Sequence, residues 1–395
     1  MFIGLSIGSN VAIAKAIGER NDEKASRATH TGILVGLISG IIVSVIGLIF
    51  TRRLVELMKF DPEVIDKSAL YLRIYFLGSP AVLVYNFGAS ALRAKGDTRR
   101  PLVFLTISGI TNILLNLLFV IPFNMDVAGV GYATIISQYA SATAAILVLI
   151  KRKNVSYNFS PRKMGIDKSI LKRALRLGIP QGIQGAMFSI ANVILVSSMN
   201  EFDGYIFTGY TITNQIDAII YNICIGFSVT CLTFTAQNYG AKNLARVKKV
   251  LLTSILLVIA SALLTSAVTL VFQEPLTLLF MPENSTNEET ILAVARSLNF
   301  LVLGTYFLMG VLGVLSGSLR GLGRSVMQSA LFLTGLCGTR ILWIFAVFPF
   351  IKTPIGLMLC FPVSWTVAII LIGTARLAVG KKLAKANAQD TSSPS

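Results

Sequence analysis

The feature that most constrains this chain is a succession of apolar stretches, each of the roughly 20 residues that a helix needs to cross the hydrocarbon of a bilayer. Ten of them fall near residues 31–51, 69–91, 101–122, 129–150, 176–198, 204–234, 250–272, 291–318, 325–349 and 354–378. A shorter one, near 1–17, precedes them and lacks the basic start and small-residue cleavage pattern of a signal peptide. Helices apolar all round have no face to give to water, and the composition, 54% hydrophobic against 13% charged, leaves too little polar surface for a soluble fold. The prediction is an all-α, polytopic membrane protein with about eleven spans, the first incomplete.

A net charge of +17 would suggest nucleic acid in a soluble protein. Here the position of the charges decides otherwise. Alternate connections, those around Lys15–Arg27, Arg93–Arg100, Lys151–Arg176, Lys242–Lys249, Arg320–Arg324 and Arg376–Lys385, carry 27 of the 35 Lys and Arg. The other connections keep Arg52, Arg53, Lys59, Lys67 and Lys352, and most of the acids. By the positive-inside rule the basic set, with the C-terminus, is cytoplasmic, which predicts a multi-pass protein of the plasma (inner) membrane whose partner is the lipid bilayer and not nucleic acid.

An internal repeat organises the spans. Gly4 to Asn21 aligns without a gap on Gly226 to Asn243, and Leu92-Arg93-Ala-Lys-Gly96 on Leu319-Arg320-Gly-Leu-Gly323 at nearly the same offset. Six spans lie between the matched glycines, and an even number predicts parallel, pseudo-symmetric bundles. The expected parts are residues 1–150, an N-terminal bundle with an incomplete first repeat; 151–171, a basic cytoplasmic linker; 172–380, a six-helix C-terminal bundle; and 381–395, a disordered tail. Projecting the second repeat back on the first leaves about fifty residues unmatched before Met1. A protein of eleven spans is the other reading.

These segments resemble the multidrug and toxic compound extrusion (MATE) family of secondary transporters. The resemblance rests on Gly4 to Asn21, Phe234-Thr-Ala-Gln-Asn-Tyr-Gly240-Ala, Ala91-Leu-Arg-Ala-Lys-Gly96-Asp, Asn112-Ile-Leu-Leu-Asn116-Leu-Leu-Phe119 and Ala133-Thr-Ile-Ile-Ser-Gln138. It implies two six-helix bundles around a central cleft, exporting small cationic or amphipathic drugs in exchange for Na+ or H+, with no other cofactor. It also implies an acid on a first helix that this chain does not contain, and an Asn-x-x-Leu-Asp pattern where this chain has Asn116.

An ionisable group inside a span is costly and is a functional candidate by default. Asp217 is the one carboxylate placed within a span, on one helical face with Tyr210, Asn214 and Tyr221. Asp217, Asn214 and Tyr221 are the predicted ion-coupling residues, a carboxylate among apolar walls suiting proton exchange or, with neutral oxygens, Na+. A structural pair between Asp217 and Arg340 is the alternative. Asn112 and Asn116, continuing from Ser108, form one polar stripe, and Gln181, Gln184 and Asn192 another; both fit interhelical hydrogen bonding as well as a substrate cleft. With Asn86, Gln138 and Arg340 they are the cleft candidates, and Tyr85, Tyr139, Met187, Phe188 and Tyr306 its candidate walls. Pro80 predicts a kink, and Pro180 either a hinge or a helix start.

Other functions lose ground on the same residues. His30 is the single histidine, expected in a charged loop, and Cys224, Cys231, Cys337 and Cys360 all lie in spans, so neither a metal site nor a disulfide framework is expected. No Gly-x-x-x-x-Gly-Lys loop points to a nucleotide-driven pump, and no Asp, Glu or His cluster points to an enzyme. The nearest alternative is a flippase of the same superfamily for lipid-linked oligosaccharides, which a strongly cationic cleft would favour; few buried cations are expected in the spans, chiefly Arg296 and Arg340. A monomer is expected.

Overall fold

The computed structural model describes residues 2–56, 62–151, 159–282 and 287–392, and every regular element among them is helical. The helices are α1 (Phe2–Gly18), α2 (Asp22–Glu56), α3 (Pro62–Leu77), α4 (Ser79–Ala94), α5 (Arg99–Val120), α6 (Asp126–Lys151), α7 (Lys168–Met199), α8 (Gly204–Gly240), α9 (Leu244–Val271), α10 (Gln273–Phe280), α11 (Glu288–Gly321), α12 (Ser325–Phe332), α13 (Thr339–Leu342), α14 (Phe348–Ile351), α15 (Pro354–Met358) and α16 (Cys360–Ser392). Among the described residues ten stretches are helical, long and apolar enough to cross a membrane, and α3 with α4 forms one of them, Val64–Ala94. The break between α3 and α4 falls at Gly78, with Pro80 in the first turn of α4, where a missing amide costs nothing.

The chain divides into two compact units, Met1–Gly182 and Ile183–Ser395, with the boundary inside α7. Pro180 lies within α7, twelve residues past its start, and not at a helix start. In the first unit α4 packs against α1, α2 and α6, and α5 against α6. The segment Phe159–Asp167 lies on the start of α2. His30, on that helix and only 4% exposed, not in a loop, donates through Nδ1–H to the Ser26 carbonyl (2.8 Å) and accepts the Ser160 amide at Nε2 (2.9 Å). Those partners fix its neutral tautomer. Thr31 Oγ1 accepts the Asp167 amide, and Arg27 pairs with Asp167 at 3.5 Å. A hydrogen bond from the Ser169 hydroxyl, then the Ile170 amide, hold the Asp167 carboxyl below its ordinary range.

In the second unit α8 packs most extensively against α11, and α11 also against α9 and α16. Glycine permits this contact. A Cβ at Gly317 would strike the Ser228 carbonyl, and one at Gly321 the Leu232 carbonyl (2.7 Å), so the helices meet backbone to backbone along a small-residue stripe. Ser228 Oγ donates across it to the Gly313 carbonyl (2.7 Å). Gly317→Leu should therefore destabilise the unit by about 1–3 kcal/mol through overpacking. Thermal denaturation followed by size-exclusion chromatography in detergent checks this; an unchanged midpoint would show that the helices can part at no cost.

The sequence repeat reappears in the backbone. Arg20 and Lys242 both take left-handed φ, 54° and 56°, as do Gly96 and Gly323, 93° and 78°. After each, the next amide bonds five residues back: Asn21 to Ala16 (3.1 Å), Asn243 to Asn238 (2.9 Å), Asp97 to Leu92 (3.1 Å), Arg324 to Leu319 (3.0 Å). These are Schellman endings in repeat-related pairs. Asn21 and Asn243 then cap the next helix, accepting the amides of Lys24 (2.9 Å) and Arg246 (3.0 Å). The tail expected to be disordered from Lys381 instead continues α16 to Ser392, since its Ala, Lys and Leu residues are strong helix formers.

Candidate functional site

Within the second unit lies a cavity of about 280 Å³. Its floor is one face of α8, where Tyr210, Asn214, Asp217 and Tyr221 recur at helical spacing. Behind them Ile212, Ile216 and Ile220 fill the core, so α8 turns one stripe to the cavity and the opposite one to packing. α7 contributes Phe188, Asn192 and Val196, α11 Tyr306 and Met309, α13 Arg340, and α16 Phe361 and Trp365. The aromatics brace one another: Trp365 meets Tyr306 edge-on at 5.3 Å and Phe361 at 5.6 Å between centroids.

Arg340 is 1% exposed and is held by neutral groups. Its Nη1 donates to Asn192 Oδ1 (2.9 Å) and its Nε to Ser364 Oγ (3.3 Å). The guanidinium carbon sits 4.3 Å from the Phe361 ring centre and 5.4 Å from that of Phe188. Burying a charge costs several kcal/mol unless hydrogen bonds and polarisable faces replace water, about what these four side chains do. The backbone that carries Arg340 is irregular: α13 is one turn between two π-helical segments, Leu333–Gly338 and Trp343–Val347. Such segments re-aim side chains, and they recur at functional sites. Asp217 is half-buried and faces the same cavity.

Of the residues singled out in the sequence, Asn192, Asn214, Asp217, Tyr221 and Arg340 thus surround one cavity, with Phe188 and Tyr306 in its walls. Gln184 is buried elsewhere in the unit, its Oε1 accepting the Ser329 hydroxyl (3.1 Å). The remaining candidates, Met187 of the second unit apart, lie in the first unit. Ser108 donates to the Ser137 carbonyl (2.6 Å), Asn112 to Thr134 Oγ1 (3.4 Å) and Asn116 to Asn112 Oδ1 (3.1 Å), so this stripe ties α5 to α6. Asn86 bonds the Val82 carbonyl of its own helix (2.8 Å), Gln138 sits on α6 and Gln181 on α7. Tyr85 is buried on the Pro101 carbonyl (2.8 Å), while Tyr139 and Met187 are exposed. Arg296, expected to be buried, is exposed and pairs with Glu274 at 3.1 Å; the buried cations besides Arg340 are Arg320 and Arg376, among the described residues. Met309, Phe361, Ser364 and Trp365 escaped notice in the sequence, because an aromatic, Met or Ser in an apolar span carries no mark of which way it faces.

Comparison with known proteins now bears on this geometry. The MatE family profile matches residues 1–118 and 180–346. The probable multidrug resistance protein YoeA of Bacillus subtilis (strain 168) is 28% identical over 94% of this chain and 80% of its own length. The multidrug export protein MepA of Staphylococcus haemolyticus is 24% identical over 82% of this chain and 71% of its own. A solved outward-facing multidrug resistance MATE transporter of the MOP superfamily superposes with a TM-score of 0.89 at 21% identity, covering 98% of this chain and 85% of that one.

Proposed function

The chain belongs to the MatE family, whose members are transporters and not enzymes, and from that premise we propose that it is a secondary antiporter exporting amphipathic, cationic drugs against an inward gradient of H+ or Na+. The observation that carries this reading is the cavity's lining, one carboxylate and one tethered guanidinium among aromatic and amide groups. Aromatic faces attract organic cations at little cost in selectivity, and a carboxylate supplies the charge that a drug and a coupling ion can contest. Coupling needs no more than that ion and drug favour different conformations of the protein. Asp217 is the ion-coupling residue in this reading, with Asn214 and Tyr221 beside it, and no step requires ATP or a covalent intermediate.

Purified protein in sealed vesicles tests the reading. An imposed pH or Na+ gradient should drive a fluorescent aromatic cation across the membrane, and dissipating the gradient should stop it; passive leakage alone would refute transport. In this reading the C-terminus and the Phe159–Asp167 segment face the cytoplasm from the plasma membrane, which the excess of Lys and Arg in those connections supports. Single cysteines replacing Met58 and Gly165, with the four native cysteines removed, should react with an impermeant maleimide from opposite sides of that membrane. Labelling from the same side would overturn the topology.

A further inference from the structure

Two formal charges line the cavity of the second unit, the Asp217 carboxylate from α8 and the Arg340 guanidinium from α13. The other titratable groups facing it are the hydroxyls of Tyr210 and Tyr221 from α8 and of Tyr306 from α11, and the thiols of Cys337 and of Cys360, the latter on α16, stand near Arg340; α7 and α16 otherwise present an amide and aromatic rings. Arg340 is provided for without Asp217. Asn192 and Ser364 take two of its N–H groups, and the rings of Phe361 and Phe188 cover its faces. Its charge is therefore accommodated whether the Asp217 carboxylate is ionised or protonated.

That arrangement discriminates between ions. A Na+ ion entering the cavity must shed water for one carboxylate and a few neutral oxygens while a fixed guanidinium stands in the same wall. A proton brings no second cationic centre, because it converts the carboxylate into a neutral acid. Arginine suits this role, since it holds its proton more firmly than any other side chain and cannot escape the repulsion by deprotonating. The two π-helical segments that flank α13 keep this residue aimed inward.

We infer that Arg340 is the ion-selectivity determinant of the cavity: its tethered guanidinium stands in for a resident metal cation, excludes Na+, and leaves the proton as the ion exchanged at Asp217. The inference rests on the reading of Asp217 as the coupling carboxylate. It goes beyond that reading in assigning the ion and the residue that selects it.

The cavity contains its own reporter. Trp343 and Trp365 are the two tryptophans, and Trp343→Phe leaves Trp365, which lines the cavity. In detergent, the fluorescence of this parent should follow a single proton titration that Asp217→Asn abolishes, and Na+ substituted for choline at constant ionic strength should leave it unchanged. Arg340→Gln keeps hydrogen-bonding groups and removes the charge. It should gain a saturable Na+ response, at least tenfold above the parent's sensitivity, and its titration midpoint should move to higher pH by about one unit, the carboxylate having lost a neighbouring cation. Arg340→Lys keeps a cation that, unlike arginine, can shed its proton when buried, so it should resist Na+ at low pH and gain the Na+ response as the pH rises, which a merely structural role would not predict. A saturable Na+ response in the parent, lost in Asp217→Asn, overturns the proposal. So does an Arg340→Gln protein with the parent's midpoint and no Na+ response, or a parent with no titration that depends on Asp217. If Arg340→Gln does not fold, Arg340→Met, unbranched and of similar reach, takes its place with the same two outcomes. The readout needs no substrate, so absent drug transport beside these titrations would refute the transport reading alone.

Discussion

Asp217→Asn should abolish gradient-driven efflux of a cationic dye while leaving the amount and monodispersity of the protein unchanged. The substitution is nearly isosteric, and the buried cation nearby keeps its hydrogen bonds to Asn192 and Ser364, so folding loses little. Transport loses the only carboxylate that lines the cavity among the described residues. A cation about 5 Å from a carboxylate gains about 3 kcal/mol at an effective dielectric constant near 20, and the Arg340 guanidinium in the same wall gives part of that back, so dye binding should weaken by less than the roughly hundredfold that the pair alone would give. The same change removes the group that the coupling ion must occupy, so both halves of the exchange fail together. Dye efflux from energised vesicles, with dye binding measured separately, checks the expectation, and undiminished efflux would take Asp217 out of the mechanism. Asp217→Glu, which keeps the charge on a longer arm, should retain part of the activity.

Asn192→Leu should act through stability. It removes the acceptor of the Arg340 Nη1–H bond and leaves a guanidinium that is 1% exposed with one partner fewer. The expected loss is about 2–4 kcal/mol, between the cost of an orphaned neutral donor and that of a broken buried ion pair. The double variant Asn192→Leu, Arg340→Leu should recover much of it, because taking out both partners leaves no stranded charge. Thermal denaturation of the four proteins of this cycle measures the coupling. Additive losses would mean that Asn192 and Arg340 do not depend on each other.

How much of this was legible beforehand differs by level. The spans were, because a bilayer imposes a length and a composition that can be counted, and the repeat was, because its glycines and asparagines mark helix ends that need a left-handed residue and a cap. The face of α8 bearing Asn214, Asp217 and Tyr221 was legible from helical spacing alone. Its partners across the cavity were not. Nothing in the local sequence of Phe361 or Trp365 separates a ring that faces a cavity from one that faces lipid. Arg296 shows the reverse error: an apolar neighbourhood suggested burial, but Glu274, 22 positions away, keeps it at the surface. His30 was misplaced for the same reason, since its acceptor role depends on Ser160, 130 positions further on.

The π-helical turns on either side of Arg340 also affect how this chain is matched to its relatives. A π turn holds an extra residue, and each residue in a regular helix advances the side chain by about 100°. A homologue that lacks one of these turns would, in a gapless alignment, set a lipid-facing or core position opposite Arg340, and its true counterpart would stand one place away. Between Leu333 and Val347, ancestry is therefore traced by the direction a side chain faces, and insertions or deletions of a single residue here mark changes in the cavity as surely as substitutions do.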